Sequence, residues 1–171
     1  LIKPVIVVFV DSRNPDDLRE NRRHSQFMCN TEYASFFAAE LIPAIGREQP
    51  VSQSRDDRVI LGLSFGGINS ACFGLMLSQW FSGIAMQSPG SGDHIDIVRE
   101  LYEEKETLPL KIYLSAGTEN DNLNEAARFR RTLEDKGYDV TYTKVRRGGH
   151  DWNNWAPLLD DILLTFFAKS D

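Results

Sequence analysis

Ser64 lies in the stretch "GLSFGG", which follows an apolar run and precedes a run of small and apolar residues. A serine on a sharp strand-to-helix turn exposes its hydroxyl, and such a turn leaves little room two positions before and after it. Gly62 and Gly66 meet that need, and Gly67 would let the following helix approach the sheet. The pattern predicts a serine nucleophile, with the backbone N–H of Phe65 as an oxyanion donor at a helix N-terminus. The spacing fits neither a P-loop nor a dinucleotide-binding turn.

A serine hydroxyl is a poor nucleophile near neutral pH, so it needs a base within hydrogen-bond reach. The chain has three histidines. His150, in "RRGGHDWNNW", follows the last predicted strand and comes after two glycines that allow a close approach, so it is the predicted base. His24 lies in a long early loop and His94 begins a helix, and both are expected to be surface or capping residues.

The base in turn needs an acid that orients its ring, and nucleophile-elbow enzymes carry these groups in the order Ser, Asp/Glu, His. The segment "AGTENDNL" follows a predicted strand and lies between Ser64 and His150. Asp121 is the first choice for this acid and Glu119 the second, while the alternative for Asp121 is that it only caps the next helix. Asp151, next to His150, is expected to fix the loop instead.

Aromatic residues near these positions could form a pocket for an acyl or aryl group. Trp152, Trp155 and Phe27 are the candidates for substrate binding. The alternative is that the tryptophans pack the last helix against the sheet.

Two arginines of the early loop are candidates for contact with an acidic substrate. Arg22 and Arg23 could bind a carboxylate, or they could be solvated or paired with Glu32.

The hydrophobic pattern predicts strands that alternate with helices, which favours an α/β fold with a mostly parallel sheet and helices on both faces. Functional residues then gather beyond the carboxyl ends of the strands. Residues 11–30 form the one long irregular stretch, and Asn30 or Thr31 would cap the first long helix. The predicted strands are "PVIVVFVD", "RVILGLS", "FSGIAMQS", "LKIYLSAG" and "YDVTYTKV".

The composition narrows the classes of partner. With 171 residues, 19 Lys and Arg, and 25 Asp and Glu, the chain has a formal charge of −6 and no basic stripe. It is predicted to be a soluble single domain over 1–171 that binds no nucleic acid and contains no membrane span. Its compartment is left open between the cytoplasm and export after removal of a leader.

Neither metal nor cofactor chemistry is indicated by the spacing of potential ligands. Cys29 and Cys72 lack a C-x-x-C pattern and a nearby histidine cluster. We expect both to be free thiols, because one bridge would add little to a core of this size.

Four segments together resemble the esterase branch of the α/β-hydrolases, which includes enterochelin esterases, feruloyl esterases and mycolyltransferases. They are "FMCNTEYASFFAAELIPAI" ahead of the elbow, the elbow "LGLSFGG", the acid loop "AGTEND" and the histidine loop "GGHDWNNW". The resemblance covers nearly the whole chain. It implies a three-layer α/β-hydrolase fold and an esterase activity that requires neither metal nor organic cofactor.

The sequence departs from this family in one respect. In the family, a strand that carries the second oxyanion donor lies upstream of the strand that corresponds to "PVIVVFVD", and this sequence has no counterpart of that upstream strand. The resemblance therefore implies a truncated or minimal member, apparently lacking N-terminal strands. By the family's topology, that strand would sit between the first and second strands of this chain. Its absence would leave a gap or a direct pairing, and a homo-oligomer or a complementing N-terminal segment are the possible partners.

The leading hypothesis is a serine carboxylic-ester hydrolase that acts on a small-molecule ester through Ser64, His150 and Asp121 and an acyl-enzyme. An acyltransferase of the same fold is the near alternative. A weakly active or non-catalytic binding domain with an incomplete oxyanion hole is the other, because one lost donor costs roughly a hundred- to a thousandfold in turnover.

Overall fold

The main sheet has four parallel strands in the order β3, β4, β5, β6. The computed structural model describes residues 1–169, and Ser170 and Asp171, the end of the predicted single domain, lie outside the described residues. The strands are β3 Val59–Leu63, β4 Gly83–Gln87, β5 Lys111–Gly117 and β6 Asp139–Val145. Four of the predicted strands are thereby confirmed, and so is the mixed α/β class with a parallel sheet.

Helices cover both faces of this sheet. The crossover helices are α4 Phe65–Met76, α5 Gly92–Glu104 and α6 Leu123–Asp135. Ile84 and Met86 of β4 belong to the large buried cluster that these helices complete. Ala85, which points to the other face because side chains alternate along a strand, packs with Ile162 of the last helix. Successive right-handed crossovers between neighbouring strands explain why α4, α5 and α6 share one face.

The predicted strand "PVIVVFVD" is wrong for the described structure. Residues 4–11 carry no strand, and their apolar side chains are largely exposed, with Phe9 at 92%. A run of branched residues becomes a strand only when its backbone groups pair with a neighbour. Within residues 1–169, β3 pairs with β4 alone, so a gap rather than a direct pairing is the outcome.

The early loop contains more structure than the sequence indicated. Its first half forms an antiparallel hairpin of β1 Arg13–Asn14 and β2 Asp17–Asn21, and α1 Arg23–Gln26 follows. A longer helical segment comes next, built from α2 Thr31–Phe36, a π-helical turn Phe37–Leu41 and α3 Ile42–Glu48. The Asn30 side chain accepts a hydrogen bond from the Tyr33 N–H at 2.8 Å, so Asn30 is the cap.

The C-terminal part follows the predicted pattern. Gly137, with φ +85°, ends α6 in the left-handed conformation that glycine adopts without strain. After β6 come α7 Trp152–Trp155, a 3₁₀ turn Ala156–Leu158 and α8 Leu159–Phe167. None of the helices in residues 1–169 has the length and apolar character needed to cross a membrane.

The prediction of two free thiols is wrong, because Cys29 and Cys72 form a disulfide. Cys29 directly precedes the cap of α2, and Cys72 lies fully buried on α4. Packing of α2 and the π-helical turn after it against α4, where the Phe37 ring of the turn and the Phe73 ring of α4 meet edge to face at 4.8 Å, brings the two Cα atoms to 4.8 Å. The distance of 43 positions in sequence hides this proximity.

Removal of this disulfide should reduce stability. A Cys29→Ala/Cys72→Ala variant is expected to lower the free energy of unfolding by about 2–4 kcal/mol, because the bridge restricts a long loop of the unfolded chain. Urea unfolding of the oxidised protein and of the double variant measures the difference. An unchanged unfolding midpoint would contradict a stabilising role of the bridge.

Candidate active site

Ser64 occupies a strained turn between the end of β3 and the start of α4. Its φ is 51° and its ψ −124°, a conformation that residues other than glycine rarely adopt. Backbone hydrogen bonds hold it there: its N–H donates to Gln87 O at 2.9 Å, and its carbonyl accepts from Gly67 and Gly90. Phe65 is the first residue of α4, so its N–H has no intrahelical acceptor and points out of the helix beside Ser64.

The glycines around Ser64 differ in what they tolerate. A Cβ on Gly62 would lie 1.9 Å from the carbonyl oxygen of Gly66, which no backbone could accept without moving. A Cβ on Gly67 would lie 3.1 Å from Pro89, in keeping with a close approach of the helix. At Gly66 itself a Cβ would meet nothing within 4 Å, so the expected steric need for a glycine there is wrong.

This difference gives a matched pair of substitutions. Gly62→Ala should lower the free energy of unfolding by about 1–3 kcal/mol, because the elbow must shift to admit the methyl group. Gly66→Ala should leave it unchanged or raise it by up to about 1 kcal/mol, because alanine is the better helix residue. Chemical denaturation of both variants measures the effect, and equal stabilities would refute the steric role of Gly62.

The structure brings Ser64, His150 and Asp121 together at the carboxyl edge of the sheet. His150 Nε2 lies 2.7 Å from Ser64 Oγ, and His150 Nδ1 lies 2.9 Å from Asp121 Oδ1. With the proton on Nδ1 directed at Asp121, Nε2 is left to accept the hydroxyl proton of Ser64. The His150 side chain is 34% exposed and that of Asp121 is 0% exposed, so the imidazole is open to solvent and the carboxylate is buried.

Asp121, and not Glu119, is the carboxylate that contacts the histidine. Its Oδ1 also accepts from the backbone N–H of Asn122 at 2.9 Å, but Asn122 is itself the cap residue of α6 and no side chain within residues 1–169 caps this helix, so the helix-capping alternative for Asp121 is wrong. Asp151 caps α7 by accepting from the Asn153 N–H at 2.8 Å, as expected for a residue that fixes the loop.

The Phe65 ring lies among aromatic side chains of the early loop and of α5. His24 lies at 5.2 Å and His94 at 4.7 Å from it, measured between ring centroids. Phe27 stacks on it at 6.2 Å. His94 Nδ1 also lies 2.6 Å from Ser91 Oγ. Both histidines, which the sequence predicts to be surface or capping residues, thus pack against the ring of the residue after Ser64.

The other predicted binding residues have different surroundings. Trp152 is 62% exposed, so its ring is available to a ligand. Trp155 is only 8% exposed and meets the His150 ring edge to face at 5.2 Å, which leaves it little surface for a substrate. Arg22 pairs with Glu20 at 2.9 Å, and not with Glu32 as the sequence suggested.

Sequence reasoning missed two polar residues beside Asp121. Ser88 and Asn154 are both buried, and each places a polar atom within hydrogen-bond distance of Asp121 Oδ2. For Ser88 the available signal was its position directly after a strand, in "QSPG". For Asn154 the available signal was its position as a polar residue between tryptophans in the histidine loop, "DWNNW".

A groove of about 670 Å³ lies at the opposite end of the sheet. Val59, Lys111 and Asp139, the first residues of their strands, contribute to its lining. Binding sites of parallel sheets form at the carboxyl ends of the strands, which is the edge that holds Ser64. We therefore place the candidate active site at Ser64 and not in this groove.

Comparison with known proteins gives the relationship of the chain. Residues 1–166 match the family described as "Putative esterase". The chain belongs to this Esterase family. An acetyl esterase of Caldicellulosiruptor saccharolyticus is 26% identical to it, and the match covers 72% of this chain and 59% of that protein. The iron(III) enterobactin esterase of Escherichia coli O6:H1 is 24% identical over 94% of this chain and 44% of its own length.

Solved structures support the fold of this Esterase family member. The enterobactin esterase of Shigella flexneri, crystallised in the presence of enterobactin, superposes with a TM-score of 0.76 at 24% identity. The superposition covers 84% of this chain and 39% of that one. The chain thus has an α/β-hydrolase-like fold and spans about half the length of the curated relatives it matches.

Proposed function

We propose that the chain is a serine carboxylic-ester hydrolase that acts on small-molecule esters. The observation that carries the proposal is the continuous hydrogen-bonded path from Ser64 Oγ through the His150 ring to Asp121. An imidazole between a hydroxyl and a buried carboxylate is the arrangement that activates a serine for acyl transfer. The relatives named acetyl esterase and enterobactin esterase support ester substrates.

In the proposed reaction, Ser64 Oγ attacks the acyl carbon while His150 Nε2 takes the hydroxyl proton. The charge that develops on the carbonyl oxygen is stabilised by the N–H of Phe65 and by the positive end of α4. His150 then gives its proton to the departing alcohol, and an acyl-enzyme on Ser64 remains. Water attacks this ester with His150 again as base, which releases the acid and restores Ser64.

Water rather than a second alcohol is the expected acceptor of the acyl group. The His150 side chain is 34% exposed, so water reaches the base directly. Transfer to another alcohol is favoured by a site that excludes water from the acyl-enzyme. Phe65 is the oxyanion donor that we assign within residues 1–169, and a site that works with one donor should turn over roughly a hundred- to a thousandfold more slowly than one with two.

Pre-steady-state hydrolysis of p-nitrophenyl acetate tests the proposal. We expect a burst of about one p-nitrophenol per chain followed by a slower steady rate, because an activated ester such as p-nitrophenyl acetate acylates the serine faster than water hydrolyses the acyl-enzyme. Added glycerol should leave the steady rate unchanged if water is the acceptor. Release of p-nitrophenol no faster than in protein-free buffer would contradict the proposal and favour a non-catalytic binding domain.

A further inference from the structure

Ser88 is a buried serine at the end of β4 with an unusual backbone conformation. Its relative exposure is 0% and its φ is +45°, in the left-handed region that disfavours side chains. The residue is held there because its N–H donates to Ser115 O at 2.8 Å, just beyond the last pair of the β4–β5 ladder. A strained, non-glycine residue next to a reactive group is a candidate for a functional constraint.

The hydrogen bonds of the Ser88 hydroxyl fix the direction of its proton. Its Oγ lies 2.9 Å from Trp155 Nε1 and 3.4 Å from Asn154 Nδ2. An indole N–H and an amide NH₂ only donate, so the Ser88 oxygen accepts from both. The orientation of the Asn154 amide is set by Gly149 O, which accepts from the same nitrogen at 2.7 Å. The Ser88 proton is therefore left for Asp121 Oδ2, at 2.6 Å.

These contacts fix the plane of the Asp121 carboxylate, so that one of its oxygens points at the histidine. Oδ2 accepts from Ser88 and from the Gly117 N–H at 2.7 Å, and at 3.3 Å it shares with Ser88 Oγ the Asn154 N–H that is not donated to Gly149 O. Rotation of the carboxylate would leave these buried donors unpaired, which is unfavourable where water cannot replace the partner. Oδ1 is thereby kept toward His150 Nδ1.

Trp155 connects this network to the base itself. Its indole N–H donates to Ser88, and its ring meets the His150 ring edge to face at 5.2 Å. Its backbone is anchored as well, since Trp155 O accepts from the buried Gln87 side chain at 2.9 Å. One side chain thus contacts the histidine directly and the carboxylate through Ser88.

We propose that Ser88, supported by the Trp155 indole, is a positioning residue that fixes the Asp121 carboxylate for the reaction of Ser64 and His150. This inference rests on the proposed hydrolase function and adds to it a set of supporting residues outside the three reacting side chains. Ser88 does not touch the substrate. It acts through Asp121, so its loss should lower the rate of the chemical steps and leave substrate binding intact.

The Ser88→Gly variant tests this role. Glycine adopts a positive φ without strain, so the variant removes the hydroxyl and keeps the backbone conformation. We expect kcat for p-nitrophenyl acetate to fall about 10- to 100-fold with KM within about twofold of wild type, because small errors in the geometry of reacting groups cost this much. Trp155→Phe, which keeps a ring against His150 but removes the indole N–H, should lower kcat about tenfold.

Ser115→Ala is the matched control. Ser115 is a buried serine on the adjacent strand β5, and its hydroxyl has no hydrogen-bond partner within residues 1–169. The Ser115→Ala variant should retain wild-type kcat and KM. The proton resonance of the His150–Asp121 hydrogen bond, far downfield in the NMR spectrum, should shift or broaden in Ser88→Gly and stay unchanged in Ser115→Ala. A role in stability alone would not move this resonance.

The outcomes separate the two proposals. The positioning role would be overturned if folded Ser88→Gly showed wild-type kcat and an unmoved resonance while the Ser64-dependent burst persists. If Ser88→Gly does not fold, the same two results in Trp155→Phe would overturn it. Failure of the hydrolase proposal would instead appear as release of p-nitrophenol by the wild-type protein no faster than in protein-free buffer. In that event the resonance still tests whether Ser88 positions Asp121.

Discussion

Replacement of Ser64 by alanine should reduce kcat for p-nitrophenyl acetate by at least about 10⁴-fold. Serine hydrolases lose about this much or more when the nucleophile is removed, because the covalent route is closed and only binding and oxyanion stabilisation remain. KM should change little, since Ser64 contributes its oxygen to the reaction and little to the binding of a small ester. The initial burst of p-nitrophenol should disappear as well.

Ser70→Ala provides the control for this loss. Ser70 lies on the same helix, α4, and its buried hydroxyl donates to Gly66 O at 3.2 Å, away from the acyl group in the proposed reaction. This variant should retain kcat within about threefold. If Ser64→Ala hydrolyses the ester as fast as Ser70→Ala, hydrolysis does not depend on the nucleophile that we assign.

Asp121→Asn should have the second-largest effect, a loss of about 10⁴-fold in kcat. An uncharged amide no longer stabilises the imidazolium that forms when His150 takes the proton of Ser64. The fold should tolerate the change, because the amide keeps the shape of the carboxylate and loses only the Asn122 N–H bond to Oδ1, a cost of about 1 kcal/mol. The effect therefore concerns chemistry more than stability.

The contacts of Asp121 explain why the amide also selects the wrong tautomer of His150. Ser88, Gly117 and Asn154 all donate to the Oδ2 position, so the amide oxygen would occupy it and the NH₂ group would face His150. His150 Nδ1 would then have to accept, which places the ring proton on Nε2. In that tautomer Nε2 no longer accepts the proton of Ser64.

Glu119→Gln is the matched comparison for Asp121→Asn. It makes the same change of charge two positions away, in the residue that the sequence left as the second choice for the acid. We expect its kcat to stay within about threefold of wild type. A large loss in Glu119→Gln together with an active Asp121→Asn would reverse the assignment of the acid.

The grouping of Ser64, Asp121 and His150 could be predicted from the sequence because it follows from a simple rule. Ser64 comes directly after β3, Asp121 and His150 lie in the loops that follow β5 and β6, and parallel strands bring their carboxyl ends to one edge. The glycine before the elbow serine was predictable for a local reason, since the clash of a Cβ at Gly62 arises within the turn itself.

Features that depend on distant partners could not be predicted in this way. "PVIVVFVD" has the composition of a strand, yet strand formation depends on a neighbouring backbone that the described structure does not provide. The bridge of Cys29 and Cys72 follows from how two helices pack. Trp155 was a candidate for substrate binding or for packing of the last helix, and the sequence did not reveal that its N–H finds a buried partner in Ser88.

Labelling with a fluorophosphonate followed by mass spectrometry tests the activation of the Ser64 hydroxyl most directly, because it needs no knowledge of the substrate. The wild-type chain should gain one phosphonyl group, mapped to Ser64, and His150→Ala should react at least about a hundredfold more slowly. An adduct on another residue, or equally fast labelling of Ser64 in His150→Ala, would contradict the proposed role of His150 as the base that activates Ser64.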